Sequence, residues 1–182
     1  GGTRAAAFSY GVLSELRDTK INIDNETIRL LDEVDHISSV SGGSFTAAYY
    51  GLFGDQIFED FETEFLRKNV QRTLINSLLN PINWFRLFSS GFDRTSLAIE
   101  YYDDTIFQEK TFGDMAATPG PFIQINATDL GTGQSFGFTE GSFGLLCSDF
   151  YDFKVARAVA ASSAVPVAFS PVTLKNYPGC ED

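Results

Sequence analysis

Ser39-Val40-Ser41-Gly42-Gly43 sets a serine between small residues two positions before and two after it, directly beyond a short apolar run. The pattern is that of a nucleophile elbow, G-x-S-x-G, with serine in place of the first glycine. A strand that turns sharply into a helix presses neighbouring backbones together and lifts one hydroxyl clear, so only small flanking residues fit. Ser41 is the candidate nucleophile; the same five residues also suit a serine- and glycine-rich loop without chemistry. Gly1-Gly2-Thr3-Arg4 leads into a helix-forming run, which puts unpaired N–H groups at the positive end of a helix dipole and so makes an anion cradle. Facing a nucleophile, such a cradle is an oxyanion hole; elsewhere it is an ordinary turn.

The chain holds one histidine, His36, five positions before Ser41. On a common strand their Cα atoms lie roughly 16 Å apart and their side chains point to opposite faces. His36 cannot be the base, which excludes a Ser-His-Asp triad within this chain and leaves a carboxylate or a lysine to act on the serine. Asp129 follows a predicted strand, where site residues gather, but a turn aspartate bonded to the Leu130-Gly131 backbone explains it as well. There is no HExxH, no acidic calcium loop and too few His or Cys for zinc, so no metal or other cofactor is expected.

Several elements must position these residues. Residues 3–17 read as a helix, 30–40 as a buried strand, 45–51 as a helix, and 55–79 as the longest helix. The stretch 81–92 is the densest aromatic cluster, around Trp84, Phe85 and Phe88; it suits an acyl pocket or lipid contact, or simply core. Helices follow at 95–107 and 112–115, a strand at 122–127 with its hairpin partner at 135–139, a helix at 155–161, a turn at 162–166 and an extended segment at 167–174. With a strand expected upstream of Gly1, this alternation implies an α/β fold with a mostly parallel sheet and a helical insert at about 55–118. Both glycine-rich turns then fall at carboxyl ends of strands, where such folds bind ligands.

The 182 residues suit one domain, and 43% hydrophobic content excludes a disordered chain. A net charge of −11 repels phosphate backbones, so nucleic acid is not expected as a partner, and any membrane contact must be apolar and transient. Cys147 and Cys180 are too few for a disulfide framework and leave the redox compartment open. No apolar run reaches the roughly 18 residues of a membrane span. Localisation stays unknown, with a bacterial envelope or secreted, membrane-associated setting compatible with these features.

Four blocks in order, Gly1-Gly2-Thr3-Arg4, Ser39-Val40-Ser41-Gly42-Gly43, Asn126-Ala127-Thr128-Asp129 and Ala161-Ser162-Ser163-Ala164-Val165-Pro166, resemble the patatin-like phospholipase family, related to the catalytic domains of cytosolic phospholipases A2. Each block is weak alone; the ordered set spans nearly the whole chain. The resemblance implies a three-layer α/β/α fold and a Ser-Asp dyad that hydrolyses acyl esters of lipids, of phospholipase A, lysophospholipase or esterase type. It assigns Ser41 as nucleophile, Gly1 and Gly2 as oxyanion glycines and Arg4 as the basic residue after them, with the Gly42 N–H as a further donor. Ser39 departs from the family's first elbow glycine. The family's aspartate lies in an Asp-Gly-Gly or Asp-Gly-Ala block after the proline block, and no such block occurs up to Asp182. The expectation is a single domain over residues 1–182, truncated at both ends, whose base is Asp182 or lies beyond it. The rival reading is an inactive lipid-binding or scaffold domain of the same fold.

Overall fold

A computed structural model describes residues 2–68, 94–164 and 170–178. Helix α1 (Thr3–Asp18) follows from the alanine-rich start and buries Ala6 and Leu13. It ends where Thr19 turns extended, and Arg17 in its last turn lies 4.4 Å from the centroid of the Phe58 ring. Strands β1 (Lys20–Ile23) and β2 (Glu26–Arg29) then form an antiparallel hairpin. Its tip residues Asp24 and Asn25 both have positive φ, 51° and 69°, as a tight hairpin turn requires.

The single strand expected over residues 30–40 is two elements. Leu30–Glu33 forms a 3-10 turn that buries Leu31, and only His36–Val40 is strand, β3. The apolar spacing is the same in both, and the turn wins because Leu31 packs beneath α1. Helix α2 (Gly43–Phe53) is buried all round from Ser44 to Leu52, as befits an interior helix. Phe45 stacks on Phe65 at 4.6 Å, and Tyr49 meets Phe61 at 5.0 Å.

In place of the long helix expected from residue 55, the chain makes a 3-10 turn (Gly54–Gln56), a short helix α3 (Ile57–Phe61) and a π-helical turn (Glu62–Leu66). Residues 69–79 of that expectation, and the aromatic cluster at 81–92, lie outside the described residues. Helix α4 (Arg94–Thr105) and α5 (Phe112–Ala116) follow, the latter opened by a capping box in which Thr111 and Asp114 satisfy each other's backbone N–H groups.

Strand β4 (Phe122–Thr128) pairs in parallel with β3 and antiparallel with β5 (Ser135–Phe138), giving the order β3-β4-β5. The described residues thus form an α/β fold, but this sheet is mixed rather than mostly parallel. Helix α6 (Glu140–Leu145), which the sequence reading left unassigned, follows β5. Helix α7 (Val155–Ser163) buries Val155, Ala156 and Ala158 to Ala160. Both α2 and α7 pack on β4, whose Ile123 and Ile125 face them. The carboxyl ends of β3 and β4 therefore meet the start of α2 and the end of α7.

Candidate active site

β3 ends at Val40 and α2 starts at Gly43, so Ser41 and Gly42 alone make the turn. Ser41 has φ +56°, a left-handed conformation that costs a residue with a side chain about 1–2 kcal/mol. Surrounding bonds hold it there. Its N–H donates to Ser162 Oγ at 2.9 Å, while its carbonyl accepts from the Ser44 N–H at 3.1 Å. The side chain is half-buried, and among the described residues its hydroxyl has no hydrogen-bond partner. A strained serine at a strand-to-helix turn, with its hydroxyl uncommitted, is a geometry suited to attack.

Gly42 must be glycine because of what lies against it. A Cβ there would fall 1.9 Å from the Gly2 carbonyl oxygen and 3.1 Å from Ala5 Cβ. The glycine turn before α1 therefore rests directly on the elbow. Gly2 itself has φ 64° and ψ −146°, a region open essentially to glycine alone, and its carbonyl accepts from the Ala5 and Ala6 N–H groups at 3.0 and 3.2 Å. The N–H groups of Thr3 and Arg4 precede that of Ala5, the first to donate within the helix, so they lie at the positive end of α1, whose Gly2 rests on Gly42. The buried Thr46 hydroxyl, donating to the Ala6 carbonyl at 2.9 Å, ties α2 to α1 just behind this contact. Arg4 is exposed and forms no ion pair among the described residues. Gly1 lies outside them.

Ser39, the departure from the first elbow glycine, is buried and donates its hydroxyl to the Gln124 carbonyl at 3.2 Å. The small hydroxyl is thus accommodated by a bond to β4. Asn126 donates through Nδ2 to Ser38 Oγ and to the Ser39 carbonyl, both at 3.0 Å. Its own carbonyl accepts from Ser162 Oγ at 2.6 Å. Three of the four sequence blocks thereby converge on the elbow, and the glycine block touches it at Gly42.

Asp129 plays the turn role. It accepts from the Gly131 N–H and the Thr132 hydroxyl, both at 2.8 Å, and these bonds hold its carboxyl below the usual carboxylate range. It is not bonded to Ser41. His36 is exposed at the far end of β3, its ring 5.4 Å from that of Phe122.

Beyond Ser162 opens an apolar cavity of about 590 Å³ whose walls include Ala127, Leu130, Phe136, Phe138, Leu146 and Leu174. Two of the sequence blocks line it, through Ala127 to Asp129 and through Ala161, Ser162 and Ala164, and β5, Leu146 and the segment 171–174 complete its walls. Cys147, next to Leu146, is disulfide-bonded. No group of three or more His, Cys, Asp or Glu among the described residues could hold a metal ion. No described helix is long and apolar enough to cross a membrane.

The family model described as patatin-like phospholipase matches residues 1–180. No curated protein and no solved structure matches the chain. A family match over nearly every residue identifies the chain, whose candidate elbow glycine rests on the glycine turn before α1, as a member of the patatin-like phospholipase family, whose members are in general lipid acyl hydrolases.

Proposed function

We propose that the chain is the nucleophile-bearing part of a serine lipid acyl hydrolase that works by a Ser-Asp dyad. The observation that carries this reading is the close packing of Gly2 on Gly42, which sets the N-terminus of α1 beside the strained Ser41. Ser41 Oγ attacks the ester carbonyl, and its proton passes to an aspartate outside the described residues, Asp182 or one that follows it in the full-length protein. Charge on the carbonyl oxygen is held by backbone N–H groups of Gly1, Gly2 and Gly42, with Arg4 raising the local positive potential. Each such donor is worth about 3–4 kcal/mol in the transition state. The leaving alcohol takes the proton, and water then releases the acyl group by the reverse sequence. The cavity beside Ser162 supplies apolar walls for an acyl chain, and no metal or organic cofactor enters the scheme.

In this reading residues 1–182 belong to one three-layer α/β/α domain, with a mostly parallel sheet and the helical insert at about 55–118. The substrate is a phospholipid, lysophospholipid or simpler acyl ester, met at a membrane by transient apolar contact. The test is ester hydrolysis by the full-length protein and by its Ser41→Ala variant, with phosphatidylcholine and p-nitrophenyl esters as substrates. Wild-type turnover that the variant loses supports the reading; equal turnover by both sinks the Ser41 assignment. A second reading, an inactive lipid-binding domain, is favoured by Asp129 being bonded to its own turn at Gly131 and Thr132, and it expects acyl-chain binding without acid release.

A further inference from the structure

We infer that Ser162 is a positioning residue for Ser41, the single hydroxyl that fixes the elbow in its strained, attack-ready conformation. The inference rests on Ser41 being the nucleophile. Ser162 Oγ lies 2.9 Å from the Ser41 nitrogen, 2.9 Å from Ser44 Oγ and 2.6 Å from the Asn126 carbonyl oxygen. A serine hydroxyl has one proton and two lone pairs, and these three neighbours use all of them. The Ser162 proton goes to the Asn126 carbonyl, because that carbonyl can only accept and the Ser41 N–H can only donate. The Ser44 hydroxyl, fully buried, therefore donates to Ser162.

One oxygen thus joins the end of α7, the carboxyl end of β4 and both sides of the elbow turn, across 121 residues of chain from Ser41. Its saturation gives the arrangement direction. Rotating the Ser162 side chain away breaks all three bonds at once and leaves an N–H, a hydroxyl and a carbonyl unpaired in a half-buried site, so the hydroxyl has one stable orientation. The Ser41 N–H belongs to the residue whose φ is +56°, and a bond to that N–H acts on the torsion that aims the Ser41 hydroxyl. The same bond commits the Ser41 N–H to Ser162, which leaves oxyanion binding to the N–H groups of Gly42 and the glycine turn. Asn126 extends the tie: its side chain bonds Ser38 and Ser39 on β3 while its carbonyl takes the Ser162 proton. Both strands below the elbow are therefore locked to the same hydroxyl.

The experiment compares Ser162→Ala, Ser162→Thr and Ser44→Ala in the full-length protein, reading kcat and KM on a p-nitrophenyl ester, the melting temperature, and hydrogen exchange at the Ser41 amide. Ser162→Ala is expected to lower kcat about 10²-fold with KM within about threefold, since a misplaced reacting atom costs that much. The Ser41 amide should exchange at least about tenfold faster, the loss expected for one broken tie. Ser162→Thr keeps the hydroxyl and should recover most of kcat. Ser44→Ala removes one spoke without touching the Ser41 bond; it should lower the melting temperature and cost far less kcat than Ser162→Ala.

A kcat within about threefold of wild type in folded Ser162→Ala overturns the inference. So does a kcat loss that is equal in Ser44→Ala and tracks the melting temperature. If the alanine variant does not fold, Ser162→Cys replaces it: its thiol is a weak donor and acceptor, and kcat should fall about tenfold, full kcat being the contrary result. A wild-type protein without turnover removes the catalytic reading instead, and exchange at the Ser41 amide then decides the tie alone: protection lost in Ser162→Ala upholds it, unchanged exchange overturns it.

Discussion

Replacing Gly42 by alanine separates catalytic geometry from fold stability. The new Cβ would sit 1.9 Å from the Gly2 carbonyl oxygen, whereas ordinary contact begins at 3.4 Å, so the glycine turn must retreat by about 1.5 Å. Gly42 itself cannot yield, because it lies between β3 and the buried α2. The turn can, since Gly2, Thr3 and Arg4 are all exposed. The stability cost thus falls at the low end of the range for overpacking, about 1 kcal/mol, or about 2–4 °C in melting temperature. Catalysis suffers more. Oxyanion donors displaced by more than an ångström should cost about 10²-fold in kcat, equivalent to about 2.7 kcal/mol of barrier. Ester hydrolysis measured beside a circular-dichroism melt reads both quantities. A Gly42→Ala protein that melts within a few degrees of wild type and keeps its full kcat would refute the claim that the glycine turn serves Ser41.

Gly51→Ala is the converse perturbation. Its Cβ would lie 2.5 Å from Ile123 Cγ1 and 3.2 Å from Met115 Sδ, in the core and away from the elbow, so roughly 1–3 kcal/mol of overpacking should lower the melting temperature while kcat of the folded enzyme is unchanged. Asp114 carries a pH dependence. The Thr111 backbone N–H, then the Lys110 ammonium, hold its carboxyl below the ordinary value of 3.8, so its stabilisation is present above that pH and is lost as pH falls through the lower folded-state value. The melting-temperature difference between wild type and Asp114→Asn should therefore be seen at pH 6 and shrink below pH 4; a difference constant across that range contradicts it.

What could be read from the residues was whatever one contiguous segment decides. The helices after the glycine pair and after Ser41, the β4–β5 hairpin and the Asp129 turn all rest on local propensity and turn chemistry, and each is where it was expected. The 3-10 turn at Leu30–Glu33 was hidden because Leu30, Leu31 and Val34 have an apolar spacing that a strand and a packed turn share. The β1–β2 hairpin was missed although its signal was present: Ile21, Ile23 and Ile28 flank Asp24-Asn25, a pair that tolerates positive φ. Periodicity at Phe61 and Phe65 suggests one long helix, yet after Phe61 the α-helix widens into a π turn, which no side-chain pattern announces. The four blocks of the site were visible, but their convergence was not. Ser162 meets Ser41 only through the tertiary packing of α7 against β4, and Gly42 is required by Gly2, forty residues away.

The most direct measurement of the central claim is fluorophosphonate labelling of the full-length protein, with the modified peptide mapped by mass spectrometry. A serine activated at the elbow should take one label, on Ser41, and Ser41→Ala should take none. A folded wild-type protein that stays unlabelled, or that labels at another residue, contradicts the assignment of Ser41 as nucleophile.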